Sequence, residues 1–372
     1  MDRSVYDRGI VNVGNAYRMQ RVMQRAENGE SITVVFLGGS ITQDSAATVH
    51  EKCYAYRTYL WWCENFPKAS IRYVNAGIGA TDSRFAAARL SEDVLSKHPD
   101  VVYCEFSVND ENTALYKESF EGVLRSILSA ECEPAVFVFN NVFYDDGRSA
   151  QEVHNEVAMY YDLPIVSIRD SIFEELLLGN LNRADITADN LHPNDYGHEL
   201  VAGVITNLMD IIRERFLTED EAVTPYVLPI KALTANRFFG AKRYRNDYEG
   251  IIANGFLKDE SEQQGVRDVF KKGFFAEQAG AELTFSVAAA AIYVQYRKTI
   301  AHPAGIAEVF VDGEPAGVLD ANFEETWGDC LFMQQVYDGR SFEKHTVTIR
   351  LREVPEGMEK PFYLVAVLTR NA

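Results

Sequence analysis

Between residues 13 and 216, short runs of apolar and β-branched residues alternate with longer amphipathic stretches, and that alternation leaves few folds open. The runs are TVVFL (33 to 37), IRYV (71 to 74), VVYCEFS (101 to 107), AVFVFNN (135 to 141) and PIVSI (164 to 168). Each has the length and the β-branched or aromatic content of a strand. Their near-continuous apolar character is that of a parallel sheet covered on both faces. Between them lie CYAYRTYLWWCENF, RFAAARLSEDVLSK and YKESFEGVLRSILSA, and HELVAGVITNLMDIIRERF closes the series. In that last segment Leu200, Val201, Val204, Ile205, Leu208, Ile211 and Ile212 fall at helical spacing, and Asn194 or Asp195 can cap its start. Right-handed strand-helix-strand crossovers then predict an α/β domain of three α/β/α layers around a parallel five-stranded sheet, over residues 1–217.

After Phe216 the run TEDEAVTPYVLP is acidic and contains prolines, so residues 218–229 read as a linker. The pattern then changes. AELTFSV, AIYVQYRK, AEVFVDG, HTVTIRLRE and FYLVAVLT are short, separated by turns and often alternating, which predicts a β-sandwich of jelly-roll type over residues 230–372.

Charge and cysteine usage narrow the function. Asp and Glu number 55 against 36 Lys and Arg, a net charge of -19 that repels nucleic acid and anionic membranes. No apolar window is long enough to span a bilayer, and no apolar stretch follows the opening MDRSVYDRG, so the reading is a cytoplasmic protein without a membrane partner. Cys53, Cys63, Cys104, Cys132 and Cys330 are odd in number and contain no Cys-x-x-Cys pair. They read as reduced thiols, with neither a disulfide framework nor a zinc site.

The chemistry concentrates at strand ends. In FLGGSIT the first strand runs into Gly38, Gly39 and Ser40. A serine there is either a helix cap or a nucleophile presented at a strand's carboxyl end. If the sheet takes the flavodoxin-like order 2-1-3-4-5, its switch point lies between the first and third strands, where ligands gather. Ser40 follows the first strand, and SVND places Asn109 and Asp110 at the end of the third. A serine nucleophile needs a histidine base oriented by a carboxylate. Of seven histidines, His192 in ADNLHPNDYGH has Asp189 three residues before it and Pro193 after it, which biases it towards an extended backbone. The pair can also serve as a helix cap without chemistry, and no further ligand cluster makes it a metal site. Fixed N–H donors for a developing oxyanion are worth roughly 3 to 4 kcal/mol each. Candidates are the backbone of Ser40, a backbone N–H of Gly79 or Ala80 in the turn NAGIGATDS, and the Asn109 amide.

GGSIT, NAGIGAT, SVND and DNLH, in this order, resemble the four blocks of the SGNH (GDSL-like) hydrolases over roughly residues 30 to 215. The resemblance implies Ser40 as nucleophile, His192 as base, Asp189 as its orienting acid, and Asn109 with the second-block turn as oxyanion donors, without a cofactor. Three positions depart from the family pattern: Gly39 stands where many members carry aspartate, Ala80 where a donor glycine is expected, and Ser107 where glycine usually precedes the asparagine. No G-x-S-x-G elbow is present, which argues against the α/β-hydrolase fold.

The two-part organisation is similar to that of acetyl-mannan esterases of carbohydrate esterase family 17, whose second domain resembles family 35 carbohydrate-binding modules. That likeness implies removal of acetyl groups, 2-O-acetyl groups in particular, from manno-oligosaccharides. Alternatives within the same fold are an acyl-thioesterase or lysophospholipase, and outside enzymes a non-catalytic carbohydrate-binding protein. Sugars stack on aromatic rings, and Trp327 in NFEETWGDCLF, with Asp329 beside it, is the candidate sugar contact, in a loop expected to reach over the crevice. Trp61 and Trp62, mid-helix, read as core.

Overall fold

A computed structural model describes residues 1–218 and 224–372, and divides them into two units, Met1–Phe239 and Gly240–Ala372. The first runs α1 (Arg3–Arg8), β1 (Ile10–Asn12), α2 (Tyr17–Glu27), β2 (Ser31–Gly38), α3 (Ser40–Gln43), α4 (Tyr54–Asn65), β3 (Ser70–Gly77) and α5 (Ser83–Asp93). It continues with β4 (Val101–Glu105), α6 (Ala114–Leu128), β5 (Ala135–Asn140), α7 (Gln151–Tyr160), β6 (Ile165–Ser167), α8 (Glu174–Leu177), α9 (Arg183–Ile186) and α10 (Asp195–Thr218).

The five strands anticipated from the apolar runs lie parallel in the order β6-β5-β4-β2-β3, the flavodoxin-like arrangement. A sixth strand corrects the count: β1 pairs antiparallel with β6 at the sheet's edge. At three residues it is too short for any periodicity to reveal. Strand side chains alternate between faces. Val34, Phe36, Tyr103, Phe137 and Phe139 share one buried core with residues of α2, α4 and α10. Their neighbours Val35, Leu37, Val102, Cys104, Val136 and Val138 are equally buried, on the face opposite. In register, Gly38 of β2 lies level with Gly77 of β3 and Glu105 of β4, so three strand ends finish together.

The boundary between the units falls after Phe239, not at residue 230, and the cause lies in α6. Its Glu118 and Glu121 are buried. Glu121 accepts the N–H groups of Leu233 and Thr234, while Glu118 takes a two-pronged ion pair from Arg237 at 2.8 and 2.6 Å. Arg125 donates to the carbonyls of Pro229 and Ile230. Residues 229–239 are thereby fastened to the first unit. Of the expected linker, residues 219–223 lie outside the described residues.

The second unit holds β7 (Lys242–Tyr244), β8 (Ile251–Asn254), β9 (Leu257–Lys258), β10 (Phe274–Ala276), β11 (Glu282–Lys298), β12 (Ile306–Val311), β13 (Glu314–Asp320), β14 (Cys330–Glu353) and β15 (Phe362–Arg370). All pairings are antiparallel, in one nine-stranded sheet organised by the long strands β11 and β14. Leu283, Phe285, Val287 and Ala289 of β11 enter the core, and then Ile292, Val294 and Tyr296 do. The parity changes between Ala289 and Ile292, where the pairing with β14 shifts register, so the apolar side still faces inward.

A glycine inside α6 tests the packing of the returning segment. A Cβ on Gly122 would lie 2.6 Å from Cβ of Phe238. Gly to Ala in a helix interior ordinarily stabilises. Here Gly122→Ala is expected to destabilise by about 1 to 3 kcal/mol in chemical denaturation, because overpacking outweighs propensity. A stabilised variant would contradict this packing.

Candidate active site

Gly38 and Gly39 are there because nothing larger fits. A Cβ on Gly38 would come 2.1 Å from Thr42 Oγ1 and 2.7 Å from the Glu105 carbonyl oxygen; one on Gly39 would come 2.2 Å from Asn109 Oδ1. Without side chains at these positions α3 can start directly on the strand ends. Gly39 is its N-cap residue and Ser40 its first helical residue, so the serine hydroxyl does not cap. It meets His192 instead: Ser40 Oγ lies 2.8 Å from His192 Nε2. Any side chain at position 39, an aspartate included, would here have to displace the Asn109 side chain.

His192 is aimed by its loop. His192 Nδ1 is 2.6 Å from Asp189 Oδ2, and the N–H groups of His192 and Leu191 donate to Asp189 Oδ1 at 2.7 and 3.0 Å. A β-bridge between Thr187 and Pro193 closes this loop, and Asn190 turns it with φ of 68°. Asparagine tolerates that left-handed conformation. Tyr144 N–H donates to the Asn190 carbonyl at 2.7 Å. Asn194 caps α10, accepting from Tyr196 and Gly197 N–H at 3.0 Å each. Partial burial pushes the Asp189 carboxyl up, but the hydrogen bonds from His192 and Leu191 outweigh it and lower its pKa to about 2. An ionised Asp189 fixes the proton of neutral His192 on Nδ1. Nε2 is then free to accept from the Ser40 hydroxyl, the geometry of an activated serine nucleophile.

The candidate N–H donors differ in what already holds them. The Ser40 N–H opens α3 and has no intrahelical acceptor. In the second turn the Gly79 N–H is taken by the Gln43 side-chain oxygen, whereas the Ala80 N–H has no hydrogen-bond partner among the described residues. Ala80 adopts φ of 56°, the left-handed conformation that a glycine holds more easily. Asn109 packs its Oδ1, buried and unpaired, on Gly39. Asp110 departs from its expected place at the crevice mouth. It is fully buried, accepts from Ser83 N–H at 3.0 Å and lies 2.9 Å from His154 Nε2, where it braces α5 and α7.

The GDSL-like lipase/acylhydrolase family model matches residues 36–200, the span that contains every residue of this cluster. Over the whole chain, the crystal structure of a two-domain esterase (CEX) active on acetylated mannans matches with a TM-score of 0.93 at 42% identity, covering 98% of each chain. A second structure of such an esterase, co-crystallized with mannopentaose, matches at 0.92 with the same identity and coverage. The chain belongs to the GDSL-like lipase/acylhydrolase family. It is accordingly a carboxylic ester hydrolase. No curated protein matches its sequence.

Sequence reasoning missed several residues that support the site of this GDSL-like hydrolase. Gln43, which decides between the two second-block N–H groups, reads in sequence only as the end of GGSITQ. His198 is fully buried; its Nδ1 accepts from Tyr54 N–H at 3.2 Å and its Nε2–H donates to the Ser45 carbonyl at 3.1 Å. Tyr54 in turn bonds Thr42 Oγ1 at 2.7 Å, which ties the chain after Ser40 to α4 and α10. Trp61 and Trp62 are core, donating to Asp210 and to the Tyr103 hydroxyl. No helix among the described residues is long and apolar enough to cross a membrane.

In the second unit the two candidate sugar contacts part company. Trp327 is 59% exposed, with its ring edge-on to Phe323. Asp329 instead accepts from Thr299 Oγ1 and Lys360 Nζ, both at 2.7 Å, with Arg297 at 3.8 Å, so its carboxylate is committed to the sheet.

Burial lowers the His198 pKa from 6.5 to about 4, despite the bond to Ser45. The folded state therefore resists a proton that the unfolded chain accepts below pH 6.5. Its contribution, roughly 3 kcal/mol, is present above that pH and lost progressively towards pH 4. Denaturant midpoints of the wild type are expected to fall across this window, and those of His198→Gln to fall less. Parallel curves would contradict the assignment.

Proposed function

We propose that this GDSL-like hydrolase is a serine acetylesterase that removes O-acetyl groups from acetylated oligosaccharides, with 2-O-acetyl manno-oligosaccharides as its substrates. The observation that carries the reading is the unbroken chain from Asp189 through His192 to Ser40, at 2.6 and 2.8 Å. The choice of acetyl and of mannan draws on the likeness, over 98% of both chains, to an esterase active on acetylated mannans.

In the proposed mechanism His192 Nε2 takes the Ser40 proton as Oγ attacks the acetyl carbonyl. Charge develops on the carbonyl oxygen, and the N–H groups of Ser40 and Ala80 with the Asn109 amide are the donors assigned to it. Gly79 is set aside because Gln43 holds its N–H. Asp189, ionised, stabilises the imidazolium while the sugar hydroxyl leaves with its proton. Water then attacks the acetyl-enzyme with His192 as base, releasing acetate and restoring Ser40. No metal or cofactor enters the scheme. Trp327 is assigned to stacking on a sugar ring, and Asp329 is not carried forward as a sugar contact.

The test is acetate release from acetylated manno-oligosaccharides followed by NMR, resolving each acetyl position. Wild type is expected to strip the 2-O position and Ser40→Ala to release nothing, while Trp327→Ala raises KM on oligosaccharides more than on aryl acetates. Cleavage of long-chain acyl esters with acetylated mannan untouched would move the assignment to the lysophospholipase or thioesterase reading.

A further inference from the structure

We propose that Glu105 is a positioning residue which, as a neutral carboxylic acid, holds the turn that delivers Asn109 to the crevice. The inference rests on the serine-esterase reading of the site. Glu105 is the last residue of β4, level with Gly38 at the strand ends, and is completely buried. Its side chain folds back on the chain that follows it. Oε1 accepts Ser107 N–H at 2.8 Å and lies 2.7 Å from Ser107 Oγ.

Ser107 Oγ also lies 2.9 Å from the Asn141 carbonyl oxygen. A serine hydroxyl carries one proton, and a carbonyl can only accept. Both short contacts are satisfied when Ser107 donates to Asn141 and a proton on Glu105 donates to Ser107. The second carboxyl oxygen, Oε2, is buried and makes no well-formed hydrogen bond, the Asn141 amide being the nearest donor and itself unpaired, a setting that gives a full charge little support. Burial pushes the Glu105 carboxyl up in the same direction, although its bonds to Ser107, its interaction with His154 and the Asn141 side chain oppose it. Around this acid the turn is held from several sides. The Ser107 carbonyl accepts Ala150 N–H at 2.7 Å, and Asn109 and Asp110 N–H both donate to the Phe106 carbonyl, at 2.9 and 2.8 Å. Asn109 leaves this turn with its amide seated on Gly39. The serine standing where the family usually has glycine thereby acquires a use: its hydroxyl links the buried acid to the end of β5.

Two readouts test the proposal. In the infrared difference spectrum at neutral pH, Glu105→Gln minus wild type is expected to show loss of a protonated-carboxyl C=O band; loss of a carboxylate band would overturn the neutral state. In p-nitrophenyl acetate kinetics, Glu105→Leu is expected to lower kcat about tenfold or more at unchanged KM, as a displaced oxyanion donor would. Glu105→Gln, uncharged and of the same shape, keeps an acceptor for the Ser107 N–H and should restore part of that loss. A Glu105→Gln as impaired as Glu105→Leu, or a Glu105→Leu with the wild-type kcat, would overturn the positioning role. Ser40→Ala run alongside separates failure of the esterase reading, in which that variant keeps activity, from failure of this one; the infrared band reports on Glu105 in either case.

Discussion

Everything at this site depends on how closely α3 can approach the ends of β2, β3 and β4. Gly38, Gly39 and Gly77 present bare backbone where a Cβ would collide with Thr42, Asn109 and Gln43 respectively. That approach starts α3 on the strand ends, with Asn109 packed on Gly39 and the turn at Gly79 held by Gln43. A methyl group at any of the three glycines would have to displace backbone or a site side chain. The steric rule that gives glycine its place in tight turns therefore becomes, here, the rule that sets the geometry of the crevice.

Beneath the crevice lies a layer of buried polar groups that fixes what the glycines permit. Arg89, fully buried, donates to the Ala76 carbonyl at 2.7 Å and to that of Gly38 at 3.4 Å, bridging the ends of β3 and β2. Glu105 and Ser107 hold the end of β4, and the Asp110–His154 pair ties the following turn to α5 and α7. On the opposite side His198 locks the chain after Ser40 between two helices. Buried polar groups are costly unless bonded, so each accepts only a narrow set of arrangements. That rigidity suits a site in which N–H groups must point at charge before it forms.

Much of this was legible in the sequence because the signals were local or periodic. The five parallel strands announce themselves as apolar runs, and Asp189 and His192 stand at a spacing that one turn can close. What stayed hidden was tertiary. Glu118 and Glu121 read as the polar side of an amphipathic helix, yet they are buried anchors for residues 229–239. Asp110 sits next to Asn109 in SVND but points into the protein, because a histidine forty-four positions later receives it. Gly79 and Ala80 could not be told apart until the Gln43 side chain was seen on one of them. Asp329, beside an exposed tryptophan, is claimed by Lys360, Thr299 and Arg297 from other strands or loops. Glu105 did leave a trace, as the one charged residue in VVYCEFS, an apolar run that has no structural need of it.

The central claim is that Ser40 is a nucleophile activated by His192 and Asp189. Mass spectrometry of the protein after treatment with a fluorophosphonate tests it most directly, since such reagents modify activated serines and spare ordinary ones. The account predicts a single phosphonyl group, mapped to Ser40, and its disappearance in a folded His192→Ala variant. Labelling at another serine, or undiminished labelling of Ser40 without His192, would contradict it.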